Sequence, residues 1–197
     1  NNKIQPGDVR YVDINGDGNI NDDDQVPIGY SNFPEIMYGI SLGGSYKNLD
    51  ISLLFQGATH VSNMPSRRIM RGFYEYTGAN RDLLKSWSYE RFVNNQKIVY
   101  PRYGVNGVGH NYLTSTYWLE DASYLRLKNV EVGYTFRQES LKKAGIGSIR
   151  IYVNGSNLLT WTDMLPGQDP EVANAGVTNS EPYPVTRVFN FGLNVNF

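Results

Sequence analysis

The chain has 197 residues, and its 18 Lys and Arg against 19 Asp and Glu leave a net charge of −1, which gives no electrostatic case for binding nucleic acid. It contains no cysteine, which excludes disulfides and thiolate metal sites. The 15 Tyr, 8 Phe and 20 Gly favour β structure over helix. No run of about 18 apolar residues occurs, so the sequence predicts no membrane-spanning helix, although strands could still cross a membrane.

Residues 1–35 contain a run of Asp, Asn and Gly with the spacing of a calcium-binding loop. If Asp13 takes the first position of that twelve-residue loop, Gly18 becomes its turn glycine and Ile20 its apolar anchor. The flanks are not helical in pattern, and the Asp at the last position resembles dockerin loops. We therefore expect a structural Ca²⁺ site without EF-hand helices, and the alternative is a solvated acidic turn. The predicted ligands are Asp13, Asn15, Asp17, Asn19 and Asp24.

Residues 36–57 alternate between apolar and small or polar side chains around a tight connection at Lys47 and Asn48. This period of two predicts a β-hairpin with strands of about ten residues. Strands in soluble proteins usually have about five or six residues, whereas bilayer-spanning strands need about nine to eleven. The predicted length therefore favours a hairpin that crosses a membrane.

Residues 58–121 lack sustained periodicity, which predicts a long loop with one short helix over 79–87, capped by Asn80. Loops of this length are uncommon inside compact domains and are usually functional. Their aromatic side chains could stack on sugar rings, although we favour packing of the loop against itself for most of them. These aromatics are Phe73, Tyr74, Tyr76, Trp87, Tyr89, Tyr100, Tyr103, Tyr112, Tyr117 and Trp118.

A second hairpin is predicted over residues 122–157. Its first strand covers 122–137, and the apolar positions change phase near Lys128, as a β-bulge would produce. A short polar connection at 138–147 leads to a second strand over 148–157. Both strands again have one apolar face.

The last two segments are a loop rich in Pro, Asp and Asn, residues 158–186, and a terminal strand, residues 187–197. In that strand large apolar side chains alternate with Asn and Gly, and the chain stops on Phe197. One apolar and one small polar face suit a strand between lipid and a hydrated lumen. They also suit a strand of a soluble sandwich, so alternation leaves both architectures open.

Long and short connections alternate along the predicted strands, so the long ones all fall at one end. Outer-membrane barrels have short periplasmic turns and long extracellular loops. We therefore predict an all-β fold in which about five antiparallel strands form the C-terminal part of a large transmembrane β-barrel, with extracellular loops and a periplasmic C-terminus. Since bacterial barrels have even strand counts from about eight upward, we expect a portion of a larger protein.

Several motifs together resemble one family nearly from end to end. The most specific is Asp-Ala-Ser-Tyr-Leu-Arg-Leu-Lys-Asn at residues 121–129. With these motifs the chain resembles the C-terminal segment of the SusC/RagA family of TonB-dependent outer-membrane transporters. The other matching residues are 7–13, 28–29, 38–46, 55–57, 100–102, 119–120, 133–134, 155–160, 167–171 and 191–197.

The resemblance implies a barrel of about twenty-two strands with an N-terminal plug, in the outer membrane of a Gram-negative bacterium. It implies nutrient uptake, of oligosaccharides or peptides, with energy from TonB, which would contact segments outside this chain. A SusD-like surface lipoprotein would cover the extracellular mouth as a lid. The implied partners are therefore the remainder of the barrel and plug, this lipoprotein, TonB, membrane lipid and the cargo. Phe197 matches the aromatic end that the barrel-assembly machinery recognises in such proteins.

The main alternative is a secreted, calcium-stabilised β-sandwich that binds carbohydrate through its loop aromatics. An enzyme is a weaker alternative, because neither His60 nor His110 lies in a metal-ligand spacing and no nucleophile motif occurs. Asp169 and Glu171 could share a face, but a position in an extracellular loop is a better interpretation than a catalytic pair. We therefore predict that the chain is not an enzyme.

Overall fold

The computed structural model describes residues 4–74, 78–79, 81–104, 109–137, 139–143, 145–165, 167–172 and 185–197. These residues fall into two compact units. The first unit contains residues 4–29 and the described parts of 63–120, and the second contains the described parts of 30–62, 121–172 and 185–197. In these described ranges no helix is long and apolar enough to cross a membrane.

The second unit is built on one large antiparallel sheet. In chain order the strands are β1 (Ile36–Tyr46), β2 (Leu49–Thr59), β3 (Ser62–Asn63), β4 (Glu120–Asp121), β5 (Tyr124–Phe136), β6 (Ser148–Thr162) and β7 (Val188–Asn196). The five-stranded sheet has the order β1-β2-β5-β6-β7, and β3 pairs separately with β4. Since each long strand pairs with the next long strand along the chain, the long connections lie at one end of the sheet and the short ones at the other.

The first hairpin has the predicted tight turn. Tyr46 pairs with Leu49 across Lys47 and Asn48, and Lys47 has a φ of 56°, the left-handed backbone that tight hairpin turns use. Each strand has 11 residues, which agrees with the predicted length of about ten. β2 continues past the predicted end at residue 57 to Thr59.

The predicted bulge lies at Lys128. Leu127 and Asn129 take adjacent partners in β2, so Lys128 is the extra residue on that side. In β6 the partners of the same two residues are Leu159 and Ser156, so two residues of β6 lie opposite Lys128. The phase change in the sequence was therefore a correct signal of a bulge.

Two predicted boundaries are wrong. β6 continues to Thr162 instead of ending at residue 157: residues 155–157 interrupt the apolar alternation where the pairing with β5 is irregular, and Leu159 and Trp161 then return to the same face. The helix predicted over 79–87 is a 3₁₀ helix at Arg81–Lys85, and its predicted cap, Asn80, lies outside the described residues.

The other described helices are short and lie in the loops. They are α1 (Arg67–Met70), α2 (Tyr89–Val93), α3 (Glu139–Lys143) and 3₁₀ helices at Asp22–Asp24 and Gly109–Tyr112. The hydroxyl of Ser88 accepts the N–H of Arg91 and so caps α2.

The core of the first unit is aromatic. The Trp118 ring lies 5.7 Å from that of Tyr100, 5.9 Å from that of Tyr112 and 5.1 Å from that of Tyr117. Its indole N–H donates to the carbonyl of Asn111 at 2.6 Å, which satisfies the polar edge of a buried ring. For these side chains the expected packing of the loop against itself is confirmed. Of the other predicted aromatics, Phe73 and Tyr89 are exposed, and Tyr76 lies outside the described residues.

Candidate functional site

The five-stranded sheet has one continuous apolar face. Ile40 of β1 pairs with Phe55 of β2, and Val132 of β5 pairs with Val153 of β6, which pairs in turn with Phe191 of β7. Cross-strand partners project from the same face, so the apolar positions of all five strands are joined. The same face includes Leu42, Leu53, Val130, Tyr134, Ile151, Trp161 and Leu193.

This apolar face is exposed in the chain. Phe191 is 82% exposed, Leu42 52% and Trp161 51%. A sandwich would need a second large sheet over this face, but the only other sheet in the described residues is the two-stranded pair of β3 and β4. The described residues therefore do not form the two packed sheets that the sandwich alternative predicts. An exposed apolar surface that extends over five strands is also rare on soluble monomers.

The opposite face is polar, and one ionic cluster on it joins three strands near the short connections. Arg150 of β6 donates through Nε to Asp50 of β2 at 3.1 Å and through its NH2 group to Glu131 of β5 at 2.8 Å. The guanidinium lies over Gly133, where an added Cβ would be 2.3 Å from it. Because Gly133 has no side chain, the guanidinium of Arg150 can occupy the space above it.

A second ionic cluster lies on the same polar face, towards the long connections. Arg126 of β5 is 2% exposed, and its two terminal nitrogens donate to Asp169 at 2.6 Å and to Glu171 at 3.1 Å. Lys128 donates to the two oxygens of Glu171 at 2.8 and 2.9 Å, and the hydroxyl of Tyr124 is 3.4 Å from Glu171. Two cations and two carboxylates thus neutralise each other where water is largely excluded.

The predicted metal loop is closed by its own side chains. The carboxylate of Asp13 accepts the N–H groups of Gly16 at 2.7 Å and Gly18 at 2.8 Å. Gly18 has a φ of 85°, as the turn position of a calcium loop requires. The carboxylate of Asp24 accepts the N–H of Ile14 at 2.7 Å, which brings the last loop position back to the first.

The remaining predicted ligands also turn towards the loop backbone. Asn15 accepts the N–H of Asp17 at 2.9 Å, and Asp17 accepts the N–H of Asn19 at 2.7 Å. The N–H of Asn21, with others in the loop, holds the pKa of Asp24 below its usual value. The oxygen donors suit a hard cation, because a carboxylate that accepts N–H bonds keeps further lone pairs. Across the described ranges, however, no group of three or more His, Cys, Asp or Glu is arranged to hold a metal, so calcium stays a prediction.

No protein-family model matches the chain. Two TonB-dependent receptors of Formosa agariphila are similar to nearly all of it: receptor P26 is 34% identical over 97% of the chain, and receptor P3 is 33% identical over 98%. The TonB-dependent receptor SusC of Bacteroides thetaiotaomicron is 26% identical over 98% of the chain.

Solved structures agree with these relatives. The RagAB peptide importer in its closed-closed state matches 91% of the chain with a TM-score of 0.68 and 27% identity, over 19% of its own chain. A second structure, of the RagAB peptide transporter, matches 92% with a TM-score of 0.66 and 27% identity, over 20% of its own chain. The chain belongs to the SusC/RagA family of TonB-dependent receptors.

Membership of the SusC/RagA family confirms the resemblance seen in the motifs, and the antiparallel sheet confirms the all-β fold class. The matched family members are receptors and transporters rather than enzymes. The chain spans 19% and 20% of the length of the two Formosa receptors and 18% of SusC.

We did not predict the cluster around Arg126, although its residues lie in two of the motifs that carry the SusC/RagA resemblance. Arg126 is in the run 121–129, and its carboxylate partners are in the run 167–171. The sequence did contain a signal for this cluster: the run 121–129 carries Arg126 and Lys128, and the run 167–171 carries Asp169 and Glu171. Opposite charges in two specific motifs indicate a contact between them.

Proposed function

We propose that the chain forms part of the barrel wall of a TonB-dependent outer-membrane importer that takes up nutrients, oligosaccharides or peptides. The observation that carries this proposal is the exposed apolar face across five strands, whose chemistry suits lipid, opposite a polar face that suits a hydrated lumen. The five strands of the large sheet have 9 to 15 residues, enough for tilted spans that need about nine to eleven.

The orientation and the partners are part of the same proposal. The long connections face the outside of the cell, and the short turns and Phe197 face the periplasm, since barrels of this class place short turns there. A SusD-like lipoprotein covers the outer mouth, and TonB engages segments outside these residues. One relative is a peptide importer by name, which supports peptides as one of the two cargo classes.

The test uses the complete receptor in its own bacterium. An in-frame deletion is compared with the complemented strain for uptake of labelled oligosaccharides and peptides, with and without TonB. We expect uptake of one cargo class to be lost on deletion and restored only where TonB is present. The receptor should be recovered with the outer membrane. Its recovery in a soluble fraction, or TonB-independent uptake, would contradict the proposal.

We also propose that the loop over residues 13–24 binds Ca²⁺ as a structural ion. Its oxygen donors and its left-handed turn glycine support the proposal. In the complete receptor, Ca²⁺ should slow hydrogen exchange of residues 8–30, and the double variant Asp13→Ala, Asp17→Ala should abolish this effect without changing exchange in the strands. The matched control is Asp22→Ala, Asp23→Ala, which removes the same charge from positions that are not predicted ligands. The site would be excluded if neither Ca²⁺ nor a chelator changed the hydrogen exchange of residues 8–30. It would also be excluded if the control variant abolished the Ca²⁺ effect as fully as Asp13→Ala, Asp17→Ala does.

A further inference from the structure

The chain that follows β6 is held against the sheet at its start. Met164 is buried in a small apolar cluster with Val61 and Ala122. The hydroxyl of Thr162, at the end of β6, donates to the carbonyl of Ser123 at 3.1 Å. The connection therefore leaves the sheet from a packed position.

A second attachment lies further along the same connection, at the polar face. Asp169 and Glu171 both bind the guanidinium of Arg126. Asp169 also accepts the N–H of Val185 at 3.0 Å, so the chain that returns towards β7 meets the same carboxylate. One arginine on β5 thus holds the outgoing and the returning parts of the connection together.

Arg126 cannot itself be a ligand for cargo. Its side chain is 2% exposed, and both terminal nitrogens are engaged by carboxylates. Lys128 completes a cluster in which the charges cancel, so the cluster presents no net charge to the lumen. Any effect of Arg126 on cargo must therefore act through the segment that contains Asp169 and Glu171.

We propose that Arg126 is a positioning residue for import, which fixes residues 167–172 against the lumen face of the wall. Since Arg126 pairs in register with Gln56 and Thr160, it belongs to the polar face, and a segment fixed over that face stands between the sheet and the lumen. At this level cargo meets the held segment and not the bare strands. The inference rests on the proposed importer function.

The same sheet offers a matched control in Arg150. It too lies on the polar face and binds two carboxylates, but these partners, Asp50 and Glu131, are on strands. Replacing Arg150 therefore removes a similar ionic cluster without releasing a connection. Both Arg126→Met and Arg150→Met remove a charge from the lumen face, but only Arg126→Met releases the segment. Comparing the two variants therefore distinguishes the effect of releasing the segment from the effect of losing a charge.

The experiment uses the complete receptor in the outer membrane, with cargo uptake measured against cargo concentration and with surface abundance measured in parallel. We expect Arg126→Met to raise the apparent KM about tenfold at near-normal abundance, and Arg150→Met to leave KM unchanged. Asp169→Asn, which changes the connection and leaves β5 intact, should act like Arg126→Met. Should Arg126→Met fail to assemble, Asp169→Asn decides the result.

A second readout reports the position of the segment itself. A cysteine introduced as Val172→Cys, in a receptor otherwise free of cysteine, is labelled with an impermeant maleimide. Labelling should be faster in the background of Arg126→Met than in that of Arg150→Met. Unchanged KM and labelling in Arg126→Met and Asp169→Asn, or an equal rise of KM in Arg150→Met, would overturn the inference. The proposed function fails separately, if the unaltered receptor takes up no cargo.

Discussion

At the residue scale, Asp8 ties the start of the described chain to the rest of the first unit. Its side chain is 5% exposed and accepts hydrogen bonds from Arg102 Nε at 3.0 Å and Asn111 Nδ2 at 2.9 Å. Burial alone would raise the pKa of Asp8, but the hydrogen bonds from Arg102 and Asn111 outweigh it and hold the pKa below its usual value. The charged form is therefore the one that the fold stabilises.

This shift predicts a pH dependence of local stability. Because the pKa of Asp8 is lower in the folded chain than in the unfolded one, its contribution is present above about pH 4 and is lost as pH falls through the folded pKa. Protection of residues 8–11 against hydrogen exchange, corrected for the intrinsic pH dependence of exchange, should be high at neutral pH and should fall as pH drops through the folded pKa of Asp8. Asp8→Asn should lower this protection already at neutral pH, with a loss of about 1–3 kcal/mol. An exchange rate that Asp8→Asn leaves unchanged, or the same effect from the exposed control Asp23→Asn, would count against this role.

At Gly57 the neighbouring atoms leave no room for a side chain. The ring of Tyr38 lies over it and the hydroxyl donates to the carbonyl of Tyr124 at 3.2 Å, so an added Cβ would be 2.4 Å from the ring and 2.5 Å from that carbonyl. Gly57→Ala should destabilise the barrel by about 1–3 kcal/mol, measured as the unfolding midpoint of the complete receptor in detergent. Gly44→Ala is the control in the same hairpin, because no atom lies within 4 Å of its added Cβ. Equal midpoints for the two variants would refute the steric argument.

At the scale of elements, the two faces of β7 make opposite predictions for the same substitution. Phe191 is on the apolar face, and its neighbour Asn190 is on the polar face, where it donates to Asn154 at 2.8 Å. Phe191→Arg places a charge towards lipid and should cost about 2–4 kcal/mol near the bilayer midplane, whereas Asn190→Arg should cost little. The measurement is the folded fraction of the receptor in outer membranes, read from its heat-dependent gel mobility. Similar fractions for the two variants would show that the faces are misassigned.

Alternation of apolar and polar side chains was sufficient to predict the five long strands, because a strand between two different environments keeps a period of two. It also indicated the bulge at Lys128. It gave no sign of the two-residue strands β3 and β4. It failed at the end of β6, because Asn157 has a φ of 57° and the pairing is irregular beside it, so residues 155–157 interrupt the apolar positions before Leu159 and Trp161 continue the same face. Such an interruption looks the same in a sequence whether the strand ends or continues past an irregularity.

Alternation alone does not predict the ionic clusters, for a different reason. Arg126 and Asp169 are 43 residues apart, and Arg150 and Asp50 are 100 residues apart. Alternation assigns a side chain to a face but does not say which strands are neighbours. The contact between Arg150 and Asp50 follows only when the sheet order is known.

At the scale of the whole molecule, the exposed apolar face predicts how the isolated chain behaves. Purified alone in plain buffer it should self-associate, because within the described ranges nothing covers the continuous apolar surface over five strands. In detergent micelles the same chain should remain dispersed. The measurement is its size by light scattering in the two conditions. A stable monomer in plain buffer would contradict the assignment of this face to lipid.

The cluster around Arg150 has a mechanical consequence. It spans three adjacent strands, since Asp50 is on β2, Glu131 on β5 and Arg150 on β6. If β6 slid along β5 by two residues, Arg150 would be displaced by about 7 Å relative to Glu131, and their contact would break. The cluster therefore opposes sliding of these three strands along one another.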